Sequence, residues 1–266
     1  MREDLREKVE EAVRTIRKAE RIAERMEAKL VLGFSGGKDS QAVYHLCKIA
    51  NVSFTACYSM TTFDPPELVR FIRNRYPDVL MIRPEKTFLE LVYHKGVLPT
   101  RQVRFCCEKL KENILHGVVL LGIRADESAR RAKSWKVVNM SCNVTGKDDI
   151  KVCPILGWSE DDVFDFLREI NVSVCELYLT HKRLGCLFCP MVGAKQRNID
   201  ARDYPKYKDA VIRAIERIKR TRPHVNWYYE RMTAEQIFKW WISDEPISVY
   251  FNALVNSGLI EKDAIV

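Results

Sequence analysis

One stretch decides the fold of this chain: Gly33-Phe34-Ser35-Gly36-Gly37-Lys38-Asp39-Ser40. The residues before it, 29–32, form a short, largely apolar run typical of a β-strand, and residues 41–50 after it have helical spacing. A strand, a glycine turn and a helix start together form a phosphate cradle. Glycines let the backbone approach an anion, and the first N–H groups of a helix have no partner within the helix. The stretch therefore predicts a phosphate-binding loop.

This loop is not one of the two common nucleotide-binding patterns, G-x-x-x-x-G-K-[ST] and G-x-G-x-x-G. It resembles the SGGKDS pyrophosphate-binding loop of the PP-loop ATP pyrophosphatases, which cleave ATP between its α and β phosphates. The alternative is a polar turn whose glycines occur by chance, but the flanking strand and helix argue against it. By the resemblance, the nucleotide would be bound by Ser35, Gly36, Gly37, Lys38, Asp39 and Ser40.

Composition limits the class of protein. The chain has 266 residues, of which 47% are hydrophobic and 30% charged, enough for one large domain or one domain with an appendage. No run approaches the ~18 apolar residues of a membrane span, and the first residues are charged, unlike a signal peptide. We therefore expect a cytoplasmic protein without a membrane partner. Nine cysteines in a reducing compartment favour metal or reactive thiols over disulfides.

The net charge of +8 is unevenly distributed. Residues 195–222 contain ten Lys or Arg against four Asp or Glu, and residues 101–136 form a second basic stretch. Such patches suit a polyanion, so tRNA, DNA or a nucleotide is a candidate partner. A solvated helix face explains the same charges equally well.

Strand-like and helical segments alternate along the chain. Strands are predicted at 29–32, 52–60, 79–82 and 118–123, and helices at 3–28, 41–50, 66–75 and 163–170. The alternation predicts an α/β fold with a doubly wound, mostly parallel sheet. We divide the chain into an N-terminal helix (1–28), a nucleotide-binding domain (29–190) and a basic, aromatic C-terminal helical region (191–266).

Two local patterns refine this plan. Ser159 and Asp162 form a capping box that opens the helix at 163–170. The aromatic residues between Trp227 and Trp241 are interpreted as helical core rather than as a platform for base stacking.

The cysteines form a second constellation. Cys106 and Cys107 are adjacent, and Cys186 and Cys189 form a C-x-x-C pair. Adjacent ligands are unusual for structural zinc, whereas four thiolates can hold a four-iron cluster. The spacing of the cysteines alone does not decide between an iron–sulfur cluster, a zinc ion and no metal. We interpret the five remaining cysteines as core packing: Cys47, Cys57, Cys142, Cys153 and Cys175.

Over roughly residues 30–200 the chain resembles the phosphoadenosine-phosphosulfate (PAPS) reductase family, in its iron–sulfur branch found in archaea, phages and mobile elements. The resemblance rests on residues 35–40, 62–67 (TFDPPE), 104–111 (RFCCEKLK), 122–131 (GIRADESARR), 154–163 (PILGWSEDDV) and 182–190 (KRLGCLFCP). It implies the adenine nucleotide alpha hydrolase-like fold and a 4Fe–4S cluster on Cys106, Cys107, Cys186 and Cys189.

Two features differ from reductases that convert adenylyl sulfate (APS) or PAPS to sulfite. No cysteine follows Cys189, so the C-terminal cysteine that attacks sulfur in those enzymes is missing. Lys38 is kept, although such reductases typically lose it. We therefore favour an ATP-dependent sulfurtransferase that adenylates an acceptor, possible acceptors being tRNA or DNA, with a sulfur-donor protein as another partner. The alternatives are an APS or PAPS reductase acting with an external thiol, and a non-catalytic nucleotide or iron–sulfur sensor.

Charge develops on the phosphates when ATP is cleaved at its α phosphorus. We expect Mg²⁺ and the loop N–H groups to stabilise it, together with Lys38, Arg124 and Arg130 as catalytic residues. Asp39 either orients the loop or Mg²⁺, or caps the following helix. Arg131 is a nucleotide-binding candidate because the arginines follow a strand end, where α/β sheets bind ligands. Glu127 could tether one of these arginines, and surface ion pairing is the alternative.

Overall fold

The computed structural model describes residues 2–112, 114–142 and 148–261, and at residues 141, 142 and 148 the backbone alone. The predicted core position of the Cys142 side chain lies outside the described residues. So do the outermost ends of the predicted division, residue 1 and residues 262–266.

The described strands form one six-stranded sheet in the order β3-β2-β1-β4-β6-β5. Their bounds are β1 Leu30–Gly33, β2 Thr55–Ser59, β3 Leu80–Ile82, β4 Val118–Leu121, β5 Val138–Cys142 and β6 Asp148–Val152. Neighbouring strands are parallel except β5, which is antiparallel to β6 at one edge. The predicted α/β fold with a doubly wound, mostly parallel sheet is confirmed.

The described helices are distributed along the whole sequence. They are α1 Glu3–Arg25, α2 Lys38–Ala50, α3 Pro66–Arg75, α4 Phe88–Lys95, α5 Phe105–Cys107, α6 Ala129–Ser134, α7 Glu160–Glu169, α8 Ala194–Asp203, α9 Pro205–Thr221, α10 Trp227–Arg231, α11 Ala234–Trp241 and α12 Ile247–Asn256. A π-helical turn continues α5 over Glu108–Glu112, and 3₁₀ turns cover Ala125–Glu127 and Glu176–Leu179. Among the helices described, none combines the length and the apolar character needed to cross a membrane.

The chain divides into two compact units that are not contiguous in sequence. The first contains residues 1–60, 65–83 and 112–184 and therefore the whole sheet. The second contains residues 61–64, 84–111 and 185–266. Residues 84–111, which we assigned to the nucleotide-binding domain, lie in the second unit together with the C-terminal helices.

Each unit has its own apolar core. In the first, α1 and α2 bury one face each, including Leu5, Ile16 and Leu46. The predicted first helix, 3–28, ends earlier than expected, at Arg25, and the following residue Met26 is 39% exposed. In the second unit, Phe188, Phe238 and Trp241 pack together, which supports the core interpretation for most of the C-terminal aromatics. Trp227 departs from it, because it is 38% exposed.

Candidate functional site

The predicted loop connects β1 to α2 as its sequence indicates. Gly36 has φ +72°, and a Cβ there would lie 2.7 Å from Leu68 Cδ1, so both the backbone and the packing require glycine. Gly37 is the N-cap of α2, which begins at Lys38. The alternative assignment of Asp39 as the N-cap is therefore wrong, because its backbone is already helical.

Hydroxyl groups hold the loop in a compact turn. Ser40 Oγ accepts hydrogen bonds from Ser35 N and Ser35 Oγ, each at 3.1 Å, and donates to Gly37 O at 2.9 Å. Gln41 Nε2 donates to Gly36 O at 3.0 Å from the buried side of the loop. These bonds preorganise the loop residues, Ser40 included, around the start of α2.

Lys38 is buried although it carries a charge, its side chain being only 7% exposed. Its ammonium lies 3.1 Å from Glu160 Oε1 and 3.4 Å from Asp39 Oδ2. It also lies over the rings of Phe164 and Tyr178, at 5.7 and 5.6 Å from their centroids. Carboxylates and aromatic faces together explain how the first unit holds this charge at the mouth of the loop.

The backbone N–H of Lys38 has a partner from far along the sequence. It donates to Tyr178 Oη at 2.9 Å. Burial raises the pKa of Tyr178, so the phenol keeps its proton at neutral pH. One of the N–H groups expected to face an anion is thus already bonded to a neutral hydroxyl.

Arg124 is joined to the loop through Asp39. Its Nε donates to Asp39 Oδ1 at 2.7 Å, and its Nη1 donates to Asp126 Oδ2 at 3.1 Å. The guanidinium is almost fully buried; burial opposes its charge, but the carboxylates outweigh this effect and raise the pKa of Arg124. Asp39 therefore pairs with both Arg124 and Lys38, and its predicted role in orienting the loop or Mg²⁺ stays a prediction.

Close packing accompanies this ion pair. Gly122 lies at the end of β4 against the first turn of α2, and a Cβ at this position would lie 2.8 Å from the carbonyl carbon of Asp39. Only glycine permits this approach, because backbone atoms cannot swing aside as a flexible side chain can.

The other two predicted arginines lie on α6. Arg131 Nη1 pairs with Glu127 Oε1 at 2.6 Å, an exposed contact that both the predicted tether and the alternative of surface ion pairing would give. Arg130 is exposed on the same helix. The structure thus brings Arg124 to the loop through a direct bond, and it places Arg130 and Arg131 on the segment that follows.

The second unit brings the four predicted cysteines to one small cavity. Cys106, Cys107, Cys186 and Cys189 all line it, with Leu110, Phe188 and Trp241 among the apolar walls. A hydrogen bond with Cys107 raises the pKa of Cys106, and burial adds to the shift. The pKa of Cys189 is also raised, first by burial and then by Cys186. These interactions show that two pairs about eighty residues apart in sequence have converged.

Lys111 provides a cation beside this cysteine cluster. The pKa of Lys111 is raised, first by its electrostatic interaction with Cys186 and further by Asp64, although burial opposes the shift. The lysine side chain also hydrogen-bonds Cys186. Thiolate charge at this position therefore has a counter-ion within the unit.

The C-x-x-C backbone has an uncommon conformation. Phe188, between the two cysteines, is fully buried with φ +54°, where bulky residues are rarely found. Its N–H donates to Asp200 Oδ2 at 2.9 Å, and Leu187 N donates to Phe63 O at 2.9 Å. Such strain persists only where surrounding bonds enforce it, and it is typical of functional sites.

No group of three or more His, Cys, Asp or Glu side chains within the described ranges is arranged to hold a single metal ion. The described cysteines form no disulfides. Cys47, Cys57, Cys153 and Cys175 are buried, and burial raises the pKa of each thiol, to about 12 for Cys47 and Cys153. Their predicted role in core packing is confirmed.

Sequence reasoning missed three residues of these sites: Glu160, Tyr178 and Lys111. Glu160 lay inside a capping box, which accounted for it without any role at the loop. Tyr178 contacts a residue 140 positions away, and no local pattern signals such a contact. Lys111 belonged to a motif already quoted, but its charge was not connected with the cysteines.

The Phosphoadenosine phosphosulfate reductase domain model matches residues 29–192, and this chain belongs to that family. It is 28% identical over 180 residues to adenosine 5'-phosphosulfate reductase 2 of Bacillus subtilis (strain 168), covering 61% of this chain and 73% of the relative. It is 29% identical over 158 residues to adenosine 5'-phosphosulfate reductase of Oceanobacillus iheyensis, covering 53% of this chain and 61% of the relative. The family resemblance predicted from the motifs is confirmed.

A solved structure also resembles the chain. The phosphoadenylyl-sulfate reductase from Candida auris, crystallised as a phosphate complex, aligns over 64% of this chain and 87% of its own, with 17% identity and a TM-score of 0.45.

Proposed function

We propose that the chain binds ATP at the loop of residues 35–40 and cleaves it between the α and β phosphates. The observation that carries this proposal is Lys38, a buried ammonium at the start of α2, directly after a glycine loop. A buried cation with two carboxylate neighbours is well placed to exchange them for a more highly charged phosphate.

The surrounding residues suit the charge that develops in this reaction. An oxygen of the acceptor attacks the α phosphorus, the bond to the bridging oxygen breaks, and pyrophosphate leaves with the electron pair. Lys38 and Arg124 would stabilise the departing charge, with Asp39 holding the guanidinium in place. Mg²⁺ bound to ATP would neutralise further phosphate charge. Arg130 and Arg131 are proposed as additional phosphate contacts.

We further propose that the activated oxygen is replaced by sulfur. A sulfur nucleophile from a donor protein attacks the adenylated carbon, and AMP leaves. Membership of a sulfonucleotide-processing family supports sulfur chemistry. We propose a nucleic acid as acceptor because Arg213, Arg217 and Arg220 lie on one exposed face of α9.

The cysteine cluster is proposed to hold a 4Fe–4S cluster. In a cubane cluster, each of the four irons binds one cysteine thiolate. The four cysteine sulfurs therefore surround the cluster, whereas the ligands of a single metal ion all converge on that ion. Four cysteines lining one cavity support this arrangement, and so does the cation of Lys111 beside Cys186. A cluster would supply electron transfer, sulfur storage or a fixed local charge at this position.

The second candidate function is reduction of a sulfonucleotide with an external thiol. The relatives from Bacillus subtilis and Oceanobacillus iheyensis are both named adenosine 5'-phosphosulfate reductases, which favours this alternative. In this alternative an external thiol attacks the sulfur of the sulfonucleotide.

One experiment separates the two functions. Protein purified without oxygen is incubated with MgATP and candidate acceptors, and separately with adenylyl sulfate or PAPS plus a thiol. Release of AMP and pyrophosphate supports the proposed function, whereas release of sulfite supports the reductase. Nucleotide binding without either product contradicts both and favours the sensor.

A further inference from the structure

The peptide group between Gly36 and Gly37 is the part of the loop that has the most freedom to turn over. Both of its residues are glycines, which tolerate backbone angles that a side chain forbids. In a trans peptide the C=O and the N–H point in opposite directions. Turned one way, this peptide presents a hydrogen-bond donor to an anion, and turned the other way it presents a carbonyl oxygen that repels the anion.

Gln41 holds this peptide from the buried side of the loop. Its side chain is fully buried, and its Nε2 donates to Gly36 O at 3.0 Å. Because Gly36 O is bound there, the Gly37 N–H points to the opposite side of the loop. On that side it donates to Ser35 Oγ at 3.3 Å, a long hydrogen bond that an anion oxygen can replace or share.

The Gly37 N–H faces the same region as the next N–H of the chain. A Cβ on Gly37 would lie 3.3 Å from Ser35 Oγ and 3.3 Å from Tyr178 Oη. Tyr178 Oη is the acceptor of the Lys38 N–H, and Ser35 Oγ is the acceptor of the Gly37 N–H. Successive N–H groups directed at one region form a concavity that binds anions. The orientation that Gln41 enforces is therefore the one that favours an anion.

Tyr76 and His45 determine which end of the Gln41 amide faces the loop. Gly36 O can only accept, so the NH₂ group of the amide faces it and Gln41 Oε1 faces Tyr76. Tyr76 Oη donates to this oxygen at 2.9 Å, and burial raises the pKa of Tyr76 to about 12, so the phenol keeps its proton. His45 Nε2 lies 3.3 Å from Tyr76 Oη and is the donor in that contact, because the phenol proton is already used. The hydrogen bonds thus run in one direction from His45 to Gly36.

We propose that Gln41 is a positioning residue of the anion site, which keeps the Gly37 N–H turned towards a bound phosphate group. This inference rests on the proposed function, because it takes the loop as the site that binds the phosphates of the nucleotide. Without the Gln41 amide, the loop populates both orientations of the peptide and only one of them binds. The apparent affinity then falls in proportion to the population of that orientation.

The first test is calorimetric titration of the full chain with inorganic pyrophosphate, at fixed pH and magnesium concentration. Gln41→Met keeps an unbranched side chain of similar length and removes both amide groups. We expect it to bind pyrophosphate about fivefold more weakly. Tyr76→Phe removes the donor that orients the amide, and we expect a loss of about two- to threefold.

Tyr44→Phe is the matched control for Tyr76→Phe. Both tyrosines are buried, and both rings pack against Phe34. The Tyr44 hydroxyl donates to Asp78 at 2.8 Å and has no bond to Gln41. Tyr44→Phe therefore loses a hydroxyl from the same aromatic cluster and should leave the pyrophosphate affinity unchanged.

The second test reads the peptide itself by NMR of protein labelled with ¹⁵N at glycine. Loss of one signal in Gly37→Ala identifies the Gly37 amide. In free Gln41→Met this signal should broaden through exchange between the two orientations, and saturating pyrophosphate should sharpen it again. The free wild type should show no such broadening. A general loss of stability would lower the melting temperature without producing exchange confined to this amide.

Equal pyrophosphate affinities for Gln41→Met and the wild type overturn the inference and leave the proposed function intact. So do equal losses in Tyr76→Phe and Tyr44→Phe. Weaker binding without exchange at Gly37 also overturns it, because Gln41 would then act only through packing of the loop. If the wild type does not bind pyrophosphate while thermal melting shows that it is folded, the proposed function itself fails.

Discussion

At the residue scale, the proposed nucleotide site depends mainly on Lys38, and the contribution of its charge to nucleotide binding can be measured directly. Lys38→Met keeps much of the side-chain volume among the aromatic rings but removes the ammonium. Loss of one charge-assisted contact costs about 1.5–3 kcal/mol, so ATP and pyrophosphate should bind roughly tenfold or more weakly. Isothermal titration calorimetry provides the measurement.

Lys48→Met is the matched control for this change. Lys48 lies on the same helix, pairs with Asp78 at 3.3 Å and lies over the Tyr44 ring, so it makes the same kinds of contact on a more exposed part of the helix away from the loop. Its replacement should leave nucleotide affinity unchanged. Equal affinities for the wild type and Lys38→Met would remove the basis for a pyrophosphate site.

Asp39 shows what the sequence could and could not determine at this scale. Its position after Lys38 predicted a place at the start of a helix, and that was correct. Its pairing with Arg124 could not be predicted, because Arg124 lies 85 positions away in the sequence and its side chain returns to the loop. A contact of this kind follows from strand order, which a local motif does not contain.

At the element scale, the start of α7 is the best-predicted feature of the chain. Ser159 and Asp162 form the capping box read from the sequence, with Ser159 N donating to Asp162 Oδ2 at 2.8 Å. The structure adds Lys8 of α1, whose ammonium donates to the same carboxylate at 2.6 Å. The cap therefore also joins two helices of the first unit.

Asp162→Asn should lower the free energy of unfolding by about 1–2 kcal/mol at pH 7, because a buried carboxylate loses charge-assisted bonds. Burial works to raise the pKa of Asp162, but its bonds with Lys8 and Ser159 outweigh burial and lower the pKa. The stabilisation is thus complete above the unfolded pKa of about 4 and is lost as pH falls through the folded value.

Chemical denaturation of the wild type and Asp162→Asn between pH 7 and pH 3 measures this dependence. The difference between the two proteins should shrink at the acidic end. The exposed variant Asp161→Asn should show no such convergence. A difference independent of pH would mean that the carboxylate charge does not contribute.

The strands β5 and β6 were not predicted from the sequence. β5 is an antiparallel edge strand whose Met140 is 73% exposed, and β6 contains Asp149 and Lys151, so neither has the apolar run of the central strands. Pairing with a neighbour stabilises them, and sequence periodicity does not reveal that partner. The central strands were recognised because burial on both faces makes them apolar throughout.

At the scale of the whole molecule, the cysteine cluster leads to a test of composition. Protein prepared without oxygen should be brown and contain about four irons per chain. Serine in place of any one of Cys106, Cys107, Cys186 and Cys189 should lower the iron content. Iron analysis and visible absorption measure the result, and circular dichroism checks that each variant folds.

Cys47→Ala and Cys175→Ala are the controls, because both residues are buried in the core of the first unit. Their iron content should equal that of the wild type. Stoichiometric zinc without iron after anaerobic preparation would contradict the cluster, and the sulfur-transfer proposal would lose its main chemical support.

The basic face of α9 leads to a test of nucleic-acid binding. Changing Arg213, Arg217 and Arg220 to Glu should weaken binding to tRNA or DNA. The slope of log affinity against log salt should fall by about two to three units if each arginine contacts a phosphate. Part of this face has a structural role as well, because the Arg217 guanidinium lies 4.2 Å from the centroid of the Tyr93 ring.

Helix α1 offers a control with the same charges and spacing on an exposed face: Arg14, Lys18 and Arg21. Reversing these three charges changes the net charge equally, so any loss specific to α9 identifies a binding surface. Salt-insensitive or absent binding by the wild type would instead favour a small-molecule acceptor.

Gly122 has a practical implication for engineering. Designers who transplant a phosphate loop usually move the strand, turn and helix as one cassette. Here the helix start rests against the end of a neighbouring strand that is distant in sequence, with no room for even a methyl group. If only residues 30–50 were transplanted, the start of the transplanted helix would clash with a side chain on the neighbouring strand of the host protein. The helix would then be displaced from the sheet. The unit that would have to be transplanted is therefore discontinuous in sequence. Its second segment must include a glycine at the position of Gly122.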